Sequence, residues 1–178
     1  MANLKIGDRA IDFALTGTDG KKHSLNDYSA MHRAVIFSCN HCPYVRAWED
    51  RMVAIQRDYA AKGVQLIAIN SNNAEQYPED SFENMKLRAN EKHFNFPYLR
   101  DEDQTVAKLY GAQRTPEVFL FDRESILRYH GAIDDNYDDP NAVKRPYFRD
   151  ALDALLGGAK TPIPETQPVG CTIKWKSS

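Results

Sequence analysis

The short continuous apolar run of residues 34–38 (AVIFS) has the pattern of a strand covered on both faces, and residues 64–70 (VQLIAIN) read as the next buried strand. Between them Val45, Trp48, Met52, Ile55 and Tyr59 recur at spacings of three and four with charged residues in the gaps. That pattern predicts an amphipathic helix reaching about Ala61 and closed by Gly63. A second helix is expected from Pro78 to about Lys92, turning Phe82, Met85 and Ala89 inward. A short one over QTVAKLYG ends at Gly111, and a last one opens at Pro146, buries Phe148, Leu152 and Leu155, and stops at Gly157 and Gly158. Residues 117–121 (EVFLF) and 126–131 (ILRYHG) read as an antiparallel pair across the polar turn DRES. The Asp19–Gly20 step predicts an N-terminal hairpin turn over residues 18–21.

The resulting order is an α/β plan in one domain, residues 1–157, with an extended tail over 158–178 packed on it. The first two buried strands should be parallel with a right-handed crossover. The tail carries Pro162, Pro164 and Pro168, and its CTIKW segment alternates like an added edge strand.

Composition changes this picture little. With 42% hydrophobic and 27% charged residues the chain is that of a globular protein. A net charge of -2 gives no basic footprint for nucleic acid. The N-terminus lacks the pattern of a signal peptide, and no apolar run approaches the roughly 18 residues of a membrane span. The expected setting is therefore the cytoplasm, without a membrane partner. The one dense acidic cluster, Asp134, Asp135, Asp138 and Asp139, is expected to be a solvated loop, and its functional version would screen substrates by charge. Its calcium-loop reading fails, because the required glycine is Asp139 and the twelfth position is Arg145.

The chemistry lies in FSCNHCPYV. Cys39 and Cys42 sit three apart where the first buried strand gives way to its helix, the end of an α/β sheet at which reactive groups gather. In one helical turn their Cβ atoms would stand about 5–6 Å apart, near enough to bridge with local tightening. Helix N-termini favour a thiolate, and a protonated His41 would act in the same direction. Two other readings of the residues remain open here. One is a pair of small buried cysteines. The other is a zinc site using Cys39, His41, Cys42 and Cys171, which the adjacency of His41 and Cys42 makes hard to close as a tetrahedron.

The surrounding segments resemble the thioredoxin-like superfamily, specifically the redoxins of the alkyl hydroperoxide reductase and thiol-specific antioxidant family. The resemblance spans about residues 5–157 and rests on IGDRAIDFALTGTDGKKHSLNDY, AVIFSCNHCPY and FNFPYLRDEDQTVAKLYGAQRTPEVFLFD. It implies a thioredoxin-like fold, with a central mixed sheet flanked by helices, an N-terminal β-hairpin extension and the C-terminal tail. It also implies a thiol–disulfide oxidoreductase, an antioxidant redoxin acting on protein or small-molecule disulfides or peroxides and recharged by a cellular dithiol. No organic cofactor and no metal are expected.

By the same resemblance Thr115–Pro116 is a cis pair packed on the cysteines, Thr115 offers its backbone to an extended substrate, Gly131 lies on the rim, and Cys39 attacks while Cys42 resolves. The peroxidase variant would use Cys42, but its Pro-x-x-x-Thr/Ser-x-x-Cys pattern then meets Val35 and Cys39 instead of proline and threonine. Pro43 bears on this choice, because a helix that starts there puts Cys42 at the N-cap. A copper-handling module is the alternative from another class, with His130 as its candidate distal ligand. Cys171 reads as an idle cysteine or as a third redox thiol.

Overall fold

The computed structural model describes residues 3–177. Strands β1 (Ala14–Gly17), β2 (Lys22–Ser24), β3 (His32–Ser38), β4 (Val64–Asn70), β5 (Tyr98–Arg100), β7 (Glu117–Phe121) and β8 (Leu127–Gly131) form one sheet in the order β2-β1-β5-β4-β3-β7-β8. Strands β3, β4 and β5 run parallel, and β7, β8, β1 and β2 join antiparallel on either side. This is the mixed sheet of a thioredoxin-like fold. The N-terminal hairpin is part of it, since β1 pairs with β5.

The helices are α1 (Pro43–Tyr59), α2 (Phe82–Glu91), α3 (Thr105–Tyr110) and α4 (Tyr147–Leu156). One apolar layer packs α1, α2 and α4 on the sheet through Trp48, Met52, Met85, Phe148 and Leu152. The other gathers Phe37, Ile69, Leu99, Tyr110 and Phe119 beneath α3 and the N-terminal segment. Continuous burial along β3 explains its unbroken apolar run: both of its faces are covered. At Gly63 the chain turns with φ +84°, which a side chain would oppose.

Several expectations need correction. Pro78 opens only a 3-10 turn, Pro78–Asp80, and α2 begins after Ser81, whose hydroxyl accepts the Asn84 N–H at 3.2 Å. The side-chain cap at Ser81 outcompetes the proline as a helix start. Leu155 is half-buried, whereas Ala151 is fully buried. The short strand β5 was not expected from its own pattern. Finally, CTIKW does not extend the main sheet. Its first two residues form β9 (Cys171–Thr172), which pairs antiparallel with β6 (Arg114–Thr115) as a separate ribbon.

The tail follows a fixed course. It meets β8 at His130, where the His130 N–H donates to Pro164 O and the Thr166 N–H donates back to His130 O, both at 3.0 Å. It then crosses β6, buries Ile173, and ends on the loops after β4 and β5. There Lys174 O accepts from the Asn73 N–H at 2.8 Å and from Gln104 Nε2 at 2.9 Å. This covers the outer edge of β8, which would otherwise present open backbone groups.

Candidate active site

Strand β3 delivers Cys39 to the C-terminal edge of the sheet, and α1 starts at Pro43 with Cys42 as its N-cap. Cys42 has an extended backbone, ψ 126°, as a residue before proline must. The two cysteines therefore do not share a helical turn, contrary to the spacing argument. Cys39 belongs to the link between strand and helix. Both side chains are buried, each residue 1% exposed. The Cys42 N–H donates to Cys39 Sγ at 3.3 Å, and Thr115 Oγ1 lies 3.6 Å from the same sulfur. The Thr115 carbonyl accepts from Cys42 Sγ at 3.5 Å. The Thr115–Pro116 peptide is cis.

The link between the cysteines is held from every side. Asn40 donates its N–H to Asp80 Oδ1 at 2.7 Å and its amide to Glu79 O at 2.9 Å. Its side-chain oxygen accepts from the Tyr98 hydroxyl at 2.8 Å, and its carbonyl accepts from Arg46 Nε at 3.0 Å. Asp80 is fully buried and also receives Asn72 Nδ2 at 2.9 Å and Asn70 Nδ2 at 3.2 Å. His41 stacks on Tyr77, and its Nδ1 stands 2.7 Å from Asp80 Oδ2, a close contact without hydrogen-bond alignment.

Asp80, Asn40, Asn70, Asn72 and Tyr98 were not anticipated from the sequence. The signal was there in NSNN, a polar run directly at the end of a buried strand. Among the described residues one group of side chains has metal-ligand types close together: Cys39, His41 and Asp80, with ligand atoms within 4.8 Å of one another. That set differs from the one read off the sequence. The Asp80 oxygens in it are already occupied by N–H donors.

The two thiols are electrostatically unequal. The Cys42 pKa is lowered, because the Cys39 thiol can donate to it, with further help from Cys171 and from the Val45 N–H in the first helical turn; burial opposes the shift. The Cys39 pKa is raised well above the ordinary thiol value by that same donation, by burial and by the Asp80 charge. Tyr98, fully enclosed, is likewise raised, chiefly by burial.

Other predicted residues fall elsewhere or serve otherwise. Cys171 lies directly across from Thr115 in the β6–β9 ribbon and packs against Cys39 and Cys42. The backbone of Thr115 is thereby paired with this chain's own tail, so it does not stand open to a substrate strand. Gly131 faces the tail, with Thr166 where a side chain would go. Asp134 is no solvated screen: it is buried, accepts the Trp48 indole N–H at 3.0 Å, and pairs with Arg51 at 2.7 Å. Asp135 is exposed, and the loop reaches the cysteine cluster through Tyr137, whose ring lies 4.6 Å from that of Tyr44 at a tilt of 58°. His130 is held at both ring nitrogens, by Glu117 at 2.6 Å and Glu165 at 3.1 Å, and does not point to the cysteines as a distal ligand would.

The sequence profile described as the AhpC/TSA family matches residues 6–130, more than half of the chain. The chain belongs to that family. It is 26% identical over 125 residues to the thiol-disulfide oxidoreductase ResA of Geobacillus thermodenitrificans, covering 70% of this chain and 68% of the relative. An uncharacterized conserved protein from Geobacillus kaustophilus is 45% identical with TM-score 0.93, covering 98% and 94% of the two chains. A putative thiol:disulfide interchange protein DsbE from Chlorobium tepidum, 24% identical with TM-score 0.68 over 88% and 98%, shares the fold. The AhpC/TSA chain described above is, by class, an oxidoreductase.

Proposed function

We propose that this redoxin is a thiol–disulfide oxidoreductase cycling between a Cys39, Cys42 dithiol and a Cys39–Cys42 disulfide. The observation that carries the reading is the donation of the Cys42 N–H to Cys39 Sγ, with Thr115 in contact with both sulfurs. The Cys42 thiolate attacks one sulfur of a substrate disulfide, and the other substrate sulfur leaves as thiolate. Cys39 then loses its proton, for which a ring nitrogen of His41 within 4.8 Å is the nearby acceptor. The Cys39 sulfur attacks Cys42 Sγ, the second substrate thiolate departs, and the disulfide remains for an external dithiol to reduce. The cytoplasm, where such dithiols abound, is the setting that goes with this cycle.

Giving the attack to Cys42 reverses the order implied by the family resemblance. It is supported by the N-cap position of Cys42, which sets its sulfur at the first turn of α1 beside the Val45 N–H. A peroxidase working through Cys42 would share the first step. Among the described residues, however, the hydrogen bonds at the two sulfurs run to Cys42 N and Thr115, and none comes from an arginine that would orient a peroxide.

The test is stoichiometric oxidation of the reduced protein with a small model disulfide, and separately with hydrogen peroxide, followed by peptide mapping. The model disulfide is expected to generate a Cys39–Cys42 link in the wild type and to leave Cys42→Ser with its remaining thiols free. Oxidation of Cys42→Ser at the wild-type rate would overturn the assignment of attack. Oxidation by peroxide alone would overturn the disulfide reading in favour of the peroxidase.

A further inference from the structure

We propose that Cys171 is a second resolving thiol, which draws the disulfide from the buried Cys39–Cys42 pair out to a Cys42–Cys171 bond at the surface. The inference rests on the thiol–disulfide reading above and concerns where its disulfide is presented to the reductant.

Three observations converge. The β6–β9 ribbon sets Cys171 opposite Thr115, the residue whose carbonyl and hydroxyl touch the Cys42 and Cys39 sulfurs. Cys171 packs in one cluster with both cysteines. Third, exposure is divided. Cys39 and Cys42 are each 1% exposed, while Cys171 is only half-buried.

A dithiol reductant of any size must place its sulfur in line with the bond that it breaks, and the Cys39–Cys42 bond would lie under Thr115 and the tail. Cys171 is the sulfur of the three that an outside thiol meets first. The contact is built by the backbone: a side chain at Gly170 would place its Cβ 2.0 Å from Thr115 O, so β9 approaches β6 this closely only with glycine there.

The exchange is electron-neutral. The Cys171 thiolate attacks Cys42 Sγ of the Cys39–Cys42 disulfide, the Cys42–Cys171 bond forms, and the Cys39–Cys42 bond breaks. The electron pair leaves on Cys39, which takes up the proton that Cys171 released. Two electrons from the external dithiol then reduce the Cys42–Cys171 bond. When Cys39 is absent, the leaving group of the same attack is the substrate thiolate bound to Cys42.

Peptide mapping after treatment with the model disulfide tests this on the full chain. Cys39→Ser is expected to end with an intramolecular Cys42–Cys171 disulfide. Gly170→Val, which keeps all three cysteines but forces β9 off β6, is expected to form Cys39–Cys42 and to lose the Cys42–Cys171 link when Cys39→Ser is added. A Cys39→Ser protein that stops at a persistent mixed disulfide on Cys42, while the wild type still forms Cys39–Cys42, overturns the relay and leaves the oxidoreductase reading standing. A link from Cys171 to Cys39 instead overturns Cys42 as the shared sulfur. If Cys42 never takes up the model disulfide in any variant, the relay falls together with the assignment of attack to Cys42, and a Cys39–Cys42 link that never forms overturns the oxidoreductase reading itself.

Discussion

Asp80→Asn is a nearly isosteric change at the centre of the polar network that holds the cysteine link. Oδ1 of Asp80 receives the Asn40 N–H and Asn70 Nδ2, and Oδ2 receives Asn72 Nδ2 and faces His41 Nδ1. An amide must turn its NH2 toward one of these sides. The better choice is the Oδ2 side, where a neutral His41 Nδ1 can accept, but Asn72 then loses its acceptor in a buried position. An orphaned buried donor costs about 1–3 kcal/mol, and the bonds kept by the amide oxygen fall from charge-assisted strength, about 1.5–3 kcal/mol, toward about 1 kcal/mol.

Against this stands relief from burying a carboxylate, which favours the variant. Because three N–H donors converge on the carboxylate, the hydrogen-bond loss should win, giving a net destabilisation of about 2–4 kcal/mol. Denaturant unfolding of the reduced protein measures it, with the midpoint falling at unchanged slope. Titration of Cys39 supplies a second readout, since removing the Asp80 charge removes one cause of its raised pKa. A variant as stable as the wild type, or more stable, would refute the reasoning and show that carboxylate desolvation dominates this site.

Two further outcomes follow from the charges. Ultraviolet thiolate absorbance of the reduced protein should show a titration step below the ordinary thiol range that vanishes in Cys42→Ser, because the Cys42 pKa is lowered by the Cys39 donation and the helix start; a step that survives there and vanishes in Cys39→Ser would contradict the assignment. His130 has a raised pKa, burial being outweighed by Glu117 and Glu165, so its ion pair with the tail is fully present below the ordinary imidazole pKa of about 6.5 and is lost as pH rises through the higher folded value. The stability difference between the wild type and Glu165→Gln should therefore shrink with rising pH, and a difference constant across that range would remove the tail contact as its cause.

What could be read from the sequence was what repeats or runs. Strands β3 and β4 show through their dense apolar segments, covered on both faces, and α1 shows through the spacing of Trp48, Met52, Ile55 and Tyr59. The cysteines and the Thr115–Pro116 pair were equally legible, through their motif. The features that were missed are created by tertiary contacts. Strand β5 has three residues between Pro97 and Asp101, too few for any period, and exists because β4 and β1 pair on its two sides. Asp80 lies at the break between a 3-10 turn and α2, and only the choice of Ser81 over Pro78 as helix start turns its carboxylate inward. The unequal thiols depended on whether Pro43 begins α1, a choice the chain leaves balanced locally and the packing of α1 settles.

The course of the tail also bears on what can reach the site. An extended peptide would add to the β6 edge, but β9 already occupies that edge, so a substrate strand must first displace residues 171–173. Displacement exposes Ile173, worth about 1.5–3 kcal/mol, and breaks backbone bonds such as Ile173 N–H to Gln113 O, each worth about 1 kcal/mol net. With the Lys174 contacts to Asn72, Asn73 and Gln104 added, opening costs about 5.5–7 kcal/mol, so roughly one molecule in ten thousand or fewer has a free edge at a given moment. A protein disulfide presented on a strand would then react at least about ten-thousandfold more slowly than its intrinsic rate at the open edge. A small disulfide has no need of the β6 edge and avoids that penalty. Small disulfides should therefore react faster than strand-borne ones, and removing the Ile173 anchor should narrow the gap between the two.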